Sequence, residues 1–297
     1  MKVCLFTDPT WSLGRVANGI KSALKDYTID IIEVYPKYSH NDILNIYNKY
    51  DVIIVNMFAH PFFIYIPDRR KIIFRSDGFA EFFDFVLDPN DTYAAVGEQI
   101  IPQFPDGSKV FWTPNGVDPA DFIYKERNGE INKVGWCGAP RVWFKQIEWA
   151  LEITDRCCVP FSIASSVPCE HNYPIWEPLS YDEVRDWYHT IDILLITSIP
   201  DGKSETGPLP AFEAIVSGVL VIGTPTGNFE KVPGPKFRTV EEGIEILSRL
   251  RCNPEEVKQL AKEQYEYVMK HFTYEALAPK WIDAIEYVHN LSKTNNS

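Results

Sequence analysis

Short runs of apolar residues alternate with helical patterns along the chain. Clear examples are KVCLF (2–6), DVIIV (51–55) and DILLIT (192–197), in each of which one charged residue precedes a mostly apolar run. Strands this short and this apolar are buried on both faces, which is typical of parallel sheets covered by helices. The alternation therefore predicts an α/β fold built on parallel sheets.

Each predicted element rests on a local pattern. The predicted strands are KVCLF, IDIIEV, DVIIV, KIIFRS, YAAVG, KVGWCG, PFSIAS, DILLIT and VLVIGT. The predicted helices are GRVANGIKSAL, DILNIYNKY, QIEWALEIT, YDEVRDWYHT, PAFEAIVS, a helix after position 253, and a last helix with Trp281, Ile285 and Val288 along one side. Ser180 and Glu183 form a capping box, and Gly218 stands at a C-cap position. Asn253 is expected to cap the helix that begins with Pro254.

The chain has 297 residues, enough for two domains of about 150 residues each. The charged segment YKERNGEINK (124–133) has few apolar residues and the composition of a linker. We therefore expect a first domain over 1–118 and a second over 119–272. A C-terminal helical segment over 273–297 is expected to follow.

Charge and hydropathy narrow the class of protein. The net charge of −12 argues against a nucleic-acid surface, which usually carries a basic patch. No run approaches the roughly 18 apolar residues of a transmembrane helix, and MKVCLFTDPT lacks the features of a secretory signal. The six cysteines show no C-x-x-C spacing, so buried thiols are expected rather than disulfides or ligands. A cytoplasmic protein is expected, and contact with the inner face of a membrane is left open.

Two glutamates, Glu205 and Glu213, flank the start of a predicted helix in SETGPLPAFEAIVSG (204–218). This segment follows the strand DILLIT, at the edge of a parallel sheet where ligands bind. Pro210 suits a first helical turn, on which Glu213 is then also expected, and Gly207 permits close approach of a ligand to the backbone. The N–H groups and the dipole of such a helix start attract anions. The alternative is structural, since glutamate is favourable in any first turn and the spacing alone is a weak signal.

Further candidates follow other predicted strands. Gly138, Arg141 and Lys145 come after KVGWCG, where an arginine and a lysine can pair with a diphosphate. Two solvated surface charges are the alternative. Gly14 lies in an expected strand-to-helix turn and His60 follows DVIIV, and each has a purely structural alternative.

In this order, the motifs resemble retaining GT-B glycosyltransferases of family 4, also called the group 1 type. The resemblance is carried by the Gly14–Arg15 turn, YAAVGEQI, TPNGVD, VGWCG with the following lysine, DEVRDWYHTIDILLITS, the two spaced glutamates with AIVSGVLVIGT, and HFTYEALAPKWIDAI. It covers nearly the whole chain. It implies two Rossmann-like, doubly wound domains facing a cleft, with the acceptor on the side of the first domain and the nucleotide sugar on the second. The terminal helix would cross back to the first domain.

The resemblance also implies a role for each candidate in the second domain. Lys145 and Arg141 would hold the diphosphate of the donor. Glu205 would accept hydrogen bonds from the donor sugar, and Glu213 from the ribose. Backbone N–H groups near Gly207 and Leu209 would meet the phosphates, with glycines 14 and 138 also among the nucleotide-sugar-binding positions.

The sequence departs from the family pattern at three places. Arg141 is displaced by about two positions, and Pro208 and Pro210 remove two N–H donors from the loop. The His-Asp pair that often follows a first-domain strand is replaced by FRSDG. The assisting side chain of the first domain is therefore Asp77 or His60.

The implied activity is transfer of a hexose or pentose from a nucleotide diphosphate sugar to an acceptor hydroxyl, with retention of the anomeric configuration. The acceptor would be a glycan, a lipid-linked glycan or a small molecule. No cofactor or metal is expected, since Cys169 and His171 lack a second ligand pair. Two alternatives stay open: a nucleotide-sugar epimerase on the same fold, and a binding module without activity.

Overall fold

The computed structural model describes residues 1–8, 11–33, 38–56, 70–75, 87–165, 176–201 and 204–294. Contacts divide the chain into two compact units. Unit 1 comprises Met1–Gly116 and Tyr274–Ser297, and unit 2 comprises Val117–Thr273.

Eleven strands and eight α-helices are formed within the described ranges. The strands are β1 (Lys2–Thr7), β2 (Thr28–Glu33), β3 (Val52–Asn56), β4 (Lys71–Arg75), β5 (Thr92–Ala95), β6 (Lys109–Trp112), β7 (Val134–Cys137), β8 (Phe161–Ser165), β9 (Trp176–Pro178), β10 (Ile193–Ile196) and β11 (Leu220–Gly223). The helices are α1 (Trp11–Ala23), α2 (His40–Tyr47), α3 (Ile147–Arg156), α4 (Tyr181–Trp187), α5 (Leu209–Val216), α6 (Val240–Arg251), α7 (Pro254–His271) and α8 (Tyr274–Thr294).

Each unit contains one parallel sheet. The order is β2-β1-β3-β4-β5-β6 in unit 1 and β11-β10-β7-β8-β9 in unit 2. The predicted α/β fold with parallel sheets is therefore confirmed. All nine predicted strands are present, whereas β6, β9 and α6 were not predicted. The edge strand β6 is exposed or half-buried along its length, and β9 spans three residues.

The inner strands of both sheets are apolar because helices cover them. In unit 1, Trp281, Ile285 and Val288 of α8 are buried, and the Trp281 ring meets Phe74 of β4 edge-on at 5.2 Å. The predicted inner face of the last helix is thus confirmed. In unit 2, α3 packs against α6, and Gly243 makes room for Ile153, whose Cδ1 would lie 2.6 Å from a Cβ at that glycine.

A glutamine satisfies the edge of the unit 2 sheet. Gln264 of α7 is fully buried; its Oε1 accepts from the Val221 N–H at 2.9 Å and its Nε2 donates to the Val221 carbonyl at 2.7 Å. The unpaired backbone groups of β11 are thereby bonded to a side chain, which prevents the cost of burying them unsatisfied.

The capping predictions have different outcomes. Ser180 Oγ accepts from the Glu183 N–H at 3.4 Å, and Glu183 Oε2 accepts from the Ser180 N–H at 2.7 Å, so the capping box is confirmed. Asn253 occupies the N-cap position of α7, but its side chain does not accept a capping hydrogen bond, and that prediction is wrong. The side chain donates instead to Glu256 Oε2 at 3.1 Å.

The charged segment 124–133 belongs to unit 2 and packs against the ends of two of its helices. Arg127 donates to the carbonyl oxygens of Tyr188 at 2.9 Å and His189 at 3.2 Å, and the Lys125 N–H donates to the Ser217 carbonyl at 3.3 Å. These bonds satisfy carbonyls at the ends of α4 and α5. The Arg127 side chain and the Lys125 backbone N–H of this segment therefore bond to helix ends.

Gly218 follows the end of α5 with φ of 84°, as its predicted C-cap position requires. A Cβ at this position would lie 2.1 Å from the Lys125 carbonyl oxygen. Gly107 has nearly the same φ, 87°, but nothing lies within 4 Å of a Cβ there. A side chain at Gly107 would therefore meet backbone strain alone, whereas a side chain at Gly218 would meet both backbone strain and a steric clash.

We expect Gly107→Ala to lower the free energy of unfolding by about 1 kcal/mol and Gly218→Ala by about 3 kcal/mol or more, because only the second adds a backbone clash to the strain. Urea unfolding followed by circular dichroism measures both. Equal losses for the two variants would contradict the proposed clash.

Candidate functional site

The strand order of unit 2 reverses between β7 and β10. The chain adds β8 and β9 on one side of β7 and then returns to add β10 and β11 on the other side. Because all these strands are parallel, the loops after β7 and β10 leave the same edge of the sheet and diverge. Ligands of open α/β sheets bind at such a switch point, outside the carboxyl ends of the strands.

The loop after β7 carries Lys145 at the end of a short 3-10 helix, Trp143–Lys145. The Lys145 N–H donates to the Val142 carbonyl at 2.9 Å, and Thr197 Oγ1 donates to the Lys145 carbonyl at 2.8 Å. Thr197 Oγ1 accepts in turn from Trp136 Nε1 at 3.0 Å. The main chain of Lys145 is thus fixed from both sides.

The shape of this loop depends on two neighbours of the lysine. A Cβ at Gly138 would lie 3.1 Å from Lys145 Cδ, so the missing side chain makes room for the lysine stem. Gln146 adopts a left-handed conformation with φ of 42° and ψ of 54°, which is uncommon for a residue other than glycine. Arg141 lies on the exposed part of the same loop.

The loop after β10 carries Glu205, and the turn after β11 supports it. Thr226 Oγ1 donates to the Glu205 carbonyl at 3.2 Å, and the Asn228 N–H donates to the Thr206 carbonyl at 3.1 Å. Gly227 has φ of 49°, and a Cβ there would lie 2.5 Å from the Thr206 carbonyl oxygen. The loop that holds Glu205 therefore requires glycine at the turn beneath it.

Lys145 and Glu205 form an ion pair across the switch point. Lys145 Nζ lies 2.5 Å from Glu205 Oε2, and the two side chains are 22% and 13% exposed. Ser198 Oγ lies 3.5 Å from the same carboxylate oxygen. The pair places one cation and one carboxylate at the edge of the sheet, both still reachable from solvent.

The start of α5 lies next to this pair in the chain. Pro208 occupies the N-cap position, and no side chain among the described residues caps the helix there. Leu209 is the first helical residue, and Pro210 the second. The helix dipole and the N–H groups of Gly207 and Leu209 are the features with which such a helix start attracts anions.

Glu213 is the fifth residue of α5 and lies in its second turn, so its prediction in the first turn is wrong. The helix begins one residue earlier than expected, at Leu209, because proline is tolerated at either of the first positions. Glu213 is 4% exposed, and its Oε2 accepts from the Tyr188 hydroxyl at 2.9 Å.

The partner of Glu213 is itself fully buried. Burial, together with the neighbouring Cys137 and Glu213, raises the pKa of the Tyr188 hydroxyl well above its ordinary value. The hydroxyl therefore remains protonated and donates to the carboxylate. The Tyr188 ring is held by Trp187 at 5.4 Å and Phe122 at 6.2 Å between centroids.

The structure brings only some of the predicted residues together. Lys145 and Glu205 are in contact, and Gly138 lies against the stem of the lysine. Gly14 belongs to unit 1 and is the fourth residue of α1, so the predicted strand-to-helix turn is wrong at this position. The candidates Asp77 and His60 lie outside the described residues.

Three residues that hold the candidate side chains were not predicted. They are Trp136, Thr197 and Tyr188. A threonine directly after the strand DILLI is the one detectable signal, because polar residues at the carboxyl end of an inner strand line the functional edge of the sheet. The hydrogen bonds of the two aromatic residues connect distant segments and have no local signature.

The described residues hold neither a metal-ligand cluster nor a membrane-spanning helix. No three His, Cys, Asp or Glu side chains come together there as a possible metal site. In the same ranges, no helix is both long enough and apolar enough to cross a membrane.

Comparison with known proteins identifies similar domains. The sequence family described as "Glycosyl transferase-like" matches residues 141–283, just under half of the chain. No curated protein matches the sequence at a significant level.

Solved structures match over nearly the whole chain. HepE from Anabaena, in complex with UDP and glucose, has a TM-score of 0.73 at 12% identity and covers 97% of this chain and 100% of its own. The catalytic domain of starch synthase IV from Arabidopsis thaliana, bound to ADP and acarbose, has a TM-score of 0.69 at 13% identity. It covers 97% of this chain and 99% of its own. WaaG, a glycosyltransferase involved in lipopolysaccharide biosynthesis, has a TM-score of 0.65 at 13% identity and covers 95% of this chain and 99% of its own.

At these identities the likeness shows the fold. The predicted fold class is confirmed, because the parallel α/β architecture matches that of GT-B glycosyltransferases. The matching family supports the group 1 type. Assignment to family 4 and retention of configuration stay predictions.

We expect Tyr188→Phe to lower the free energy of unfolding by about 1–3 kcal/mol, because it removes a donor from a buried carboxylate and keeps the ring. The matched control is Tyr267→Phe in the same unit, since Tyr267 is half-buried and its hydroxyl makes no hydrogen bond among the described residues. Urea unfolding of both variants measures the difference. A loss no larger than that of the control would show that the hydroxyl does not stabilise Glu213.

Proposed function

We propose that the protein is a retaining glycosyltransferase of the family 4 type, which moves a sugar from a nucleotide diphosphate sugar to an acceptor hydroxyl. The observation that carries this proposal is the contact of Lys145 with Glu205 beside the uncapped start of α5. A cation and a helix start suit a diphosphate, while carboxylates accept hydrogen bonds from sugar hydroxyls.

In this proposal Lys145 neutralises the diphosphate as it becomes the leaving group. A lysine is a compact charge with three donors, and its half-buried position strengthens the interaction relative to bulk water. Arg141, exposed on the same loop, is the second cation. Backbone N–H groups at Gly207 and Leu209 add donors for the phosphates, and Gly138 keeps space beside the lysine.

The two carboxylates serve different parts of the donor. Glu205 accepts hydrogen bonds from hydroxyls of the transferred sugar. Glu213 accepts from the ribose, with its other oxygen held by Tyr188. This assignment is supported by their positions on a loop and on the second turn of the helix that follows it.

Retention through attack from the front face follows from the family resemblance. The bond between the anomeric carbon and the diphosphate oxygen breaks, and the acceptor oxygen bonds to that carbon on the same face. The acceptor proton passes to the departing phosphate oxygen. The contribution of the protein is positioning and charge stabilisation.

The ligands of similar structures support the substrate class. HepE was solved with UDP and glucose, and starch synthase IV with ADP and acarbose. For this chain we propose a nucleotide diphosphate hexose or pentose as donor, and a glycan, lipid-linked glycan or small molecule as acceptor. For a lipid-linked acceptor, we propose that the protein acts in the cytoplasm, at or near a membrane surface. Roles for Asp77, His60 and Gly14 stay predictions.

The proposal is tested by a thermal-shift screen of UDP-, GDP- and ADP-sugars, since a ligand of the native state raises the melting temperature. The donor that binds is then incubated with and without glycan acceptors, and release of nucleoside diphosphate is measured. Acceptor-dependent release supports a transferase. An epimerised nucleotide sugar without release supports the epimerase, and binding without either reaction supports a binding module.

We expect transfer to continue in EDTA, because Lys145 and Arg141 provide the positive charge that a metal ion supplies in other phosphate sites. The same release assay with excess EDTA measures this. Loss of transfer that manganese or magnesium restores would contradict the metal-independent mechanism.

We expect Lys145→Met to weaken binding of the nucleoside diphosphate about ten- to hundredfold, the loss of one charged hydrogen bond. Binding of the free nucleoside should be unchanged, because it lacks the phosphates. Calorimetry on both ligands measures the difference, with Lys262→Met, at an exposed position of α7, as control. Equal weakening of nucleoside binding and of nucleoside diphosphate binding would show that Lys145 does not contact the diphosphate.

A further inference from the structure

The ion pair between Lys145 and Glu205 joins two groups that the proposed function assigns to different parts of the donor. The lysine is assigned to the diphosphate and the glutamate to the sugar. The 2.5 Å distance between Lys145 Nζ and Glu205 Oε2 shows that the two groups satisfy each other. A diphosphate that approaches the lysine therefore competes with a carboxylate already in place.

This competition is energetically significant because the pair is largely withdrawn from water. The side chains are 22% and 13% exposed, so screening is weaker than for a surface pair. The Glu152–Arg156 pair of α3 is a contrasting case, with exposures of 52% and 47% at 3.1 Å. Exposed pairs of that kind contribute little.

The surroundings keep both partners where they are. The main chain of Lys145 is bonded to Val142 and Thr197, and the main chain of Glu205 to Thr226. Neither residue leaves the site when the pair opens, and only the side chains need to move. The exchange of partners is thus a local event within unit 2.

We propose that the Lys145–Glu205 pair makes the site select the intact nucleotide sugar over the nucleoside diphosphate that remains after transfer. The inference rests on the proposed function. An intact donor replaces the partner of both groups. Its diphosphate pairs with Lys145, and its sugar hydroxyls donate to the carboxylate of Glu205. The nucleoside diphosphate binds only the lysine, and the Glu205 carboxylate then keeps the Ser198 hydroxyl but no cation, beside the negative charge of the ligand.

Glu205 therefore has a second role besides sugar binding: it weakens the hold of the site on its product. Leaving a partly buried charge without a partner costs more than the pair itself contributes. The consequence is a faster release of the nucleoside diphosphate and a weaker inhibition by it.

The test is calorimetric titration of the wild type and Glu205→Gln with the nucleoside diphosphate and with the matching nucleotide sugar, without acceptor. UDP and UDP-glucose, GDP and GDP-mannose, and ADP and ADP-glucose are the probes. We expect Glu205→Gln to bind the nucleoside diphosphate about three- to tenfold more tightly, because the competing charge is gone. It should bind the nucleotide sugar no more tightly than the wild type does.

Two further variants isolate the cause. Glu152→Gln makes the same change of net charge at the exposed pair and should alter neither affinity. In a Lys145→Met background, Glu205→Gln should tighten binding of the nucleoside diphosphate by less than in the wild type, because part of the effect is the released lysine.

The outcomes separate the two proposals. If the wild type binds none of the six probes, the proposed function fails. If the wild type binds a pair of probes but Glu205→Gln binds the nucleoside diphosphate equally or less tightly, the function stands and the selection by the ion pair is wrong. A cooperative unfolding transition of the free variant well above the titration temperature shows that the affinities report on folded protein.

Discussion

The parallel pairing of β7 with β10 is the constraint on which the candidate site depends. The two strands are neighbours in the sheet, yet the chain forms two further strands between them. Their carboxyl ends emerge side by side while their loops leave in opposite directions, which opens a space at the sheet edge. Lys145 and Glu205, 60 residues apart in sequence, meet in this space. A strand order that separated β7 from β10 would leave the same two side chains farther apart along that edge.

Neutral groups, rather than further charges, hold this pair in position. Thr197 and Thr226 bond to the main-chain carbonyls of the lysine and the glutamate, and Gly227 lets its turn approach the loop closely. A hydrogen bond to a carbonyl fixes the backbone without changing the charge of the side chain. The charged ends are therefore positioned in advance and remain available for exchange with a ligand, which is the condition for electrostatic stabilisation at low reorganisation cost.

Periodicity was sufficient to predict the inner strands and the edge strands β2 and β11, and it missed the other edge strand of each sheet, β6 and β9. The strand β6 lies at a sheet edge, where Lys109 is exposed and the other three residues are half-buried. The start of α5 was displaced by one residue because proline fits either of the first helical positions. That displacement moves Glu213 to the second turn and into the interior. Its bond to Tyr188 spans 25 residues and follows only from the packing of α5 against the neighbouring elements.

The two glutamates of the segment 204–218 thus end in different electrostatic environments. Glu205 is partly exposed and paired with a cation, so its partner can be exchanged when another anion or a set of hydroxyls arrives. Glu213 is buried and bonded to a hydroxyl whose raised pKa keeps its proton in place, so its orientation is fixed before any ligand binds. A fixed acceptor contributes the same interaction to every ligand that carries the complementary hydroxyl. An exchangeable acceptor contributes only when the ligand also compensates the cation that it releases. In the proposed enzyme, the nucleoside portion is therefore recognised by a preformed group, and the difference between donor and product is recognised by the group that must change partners.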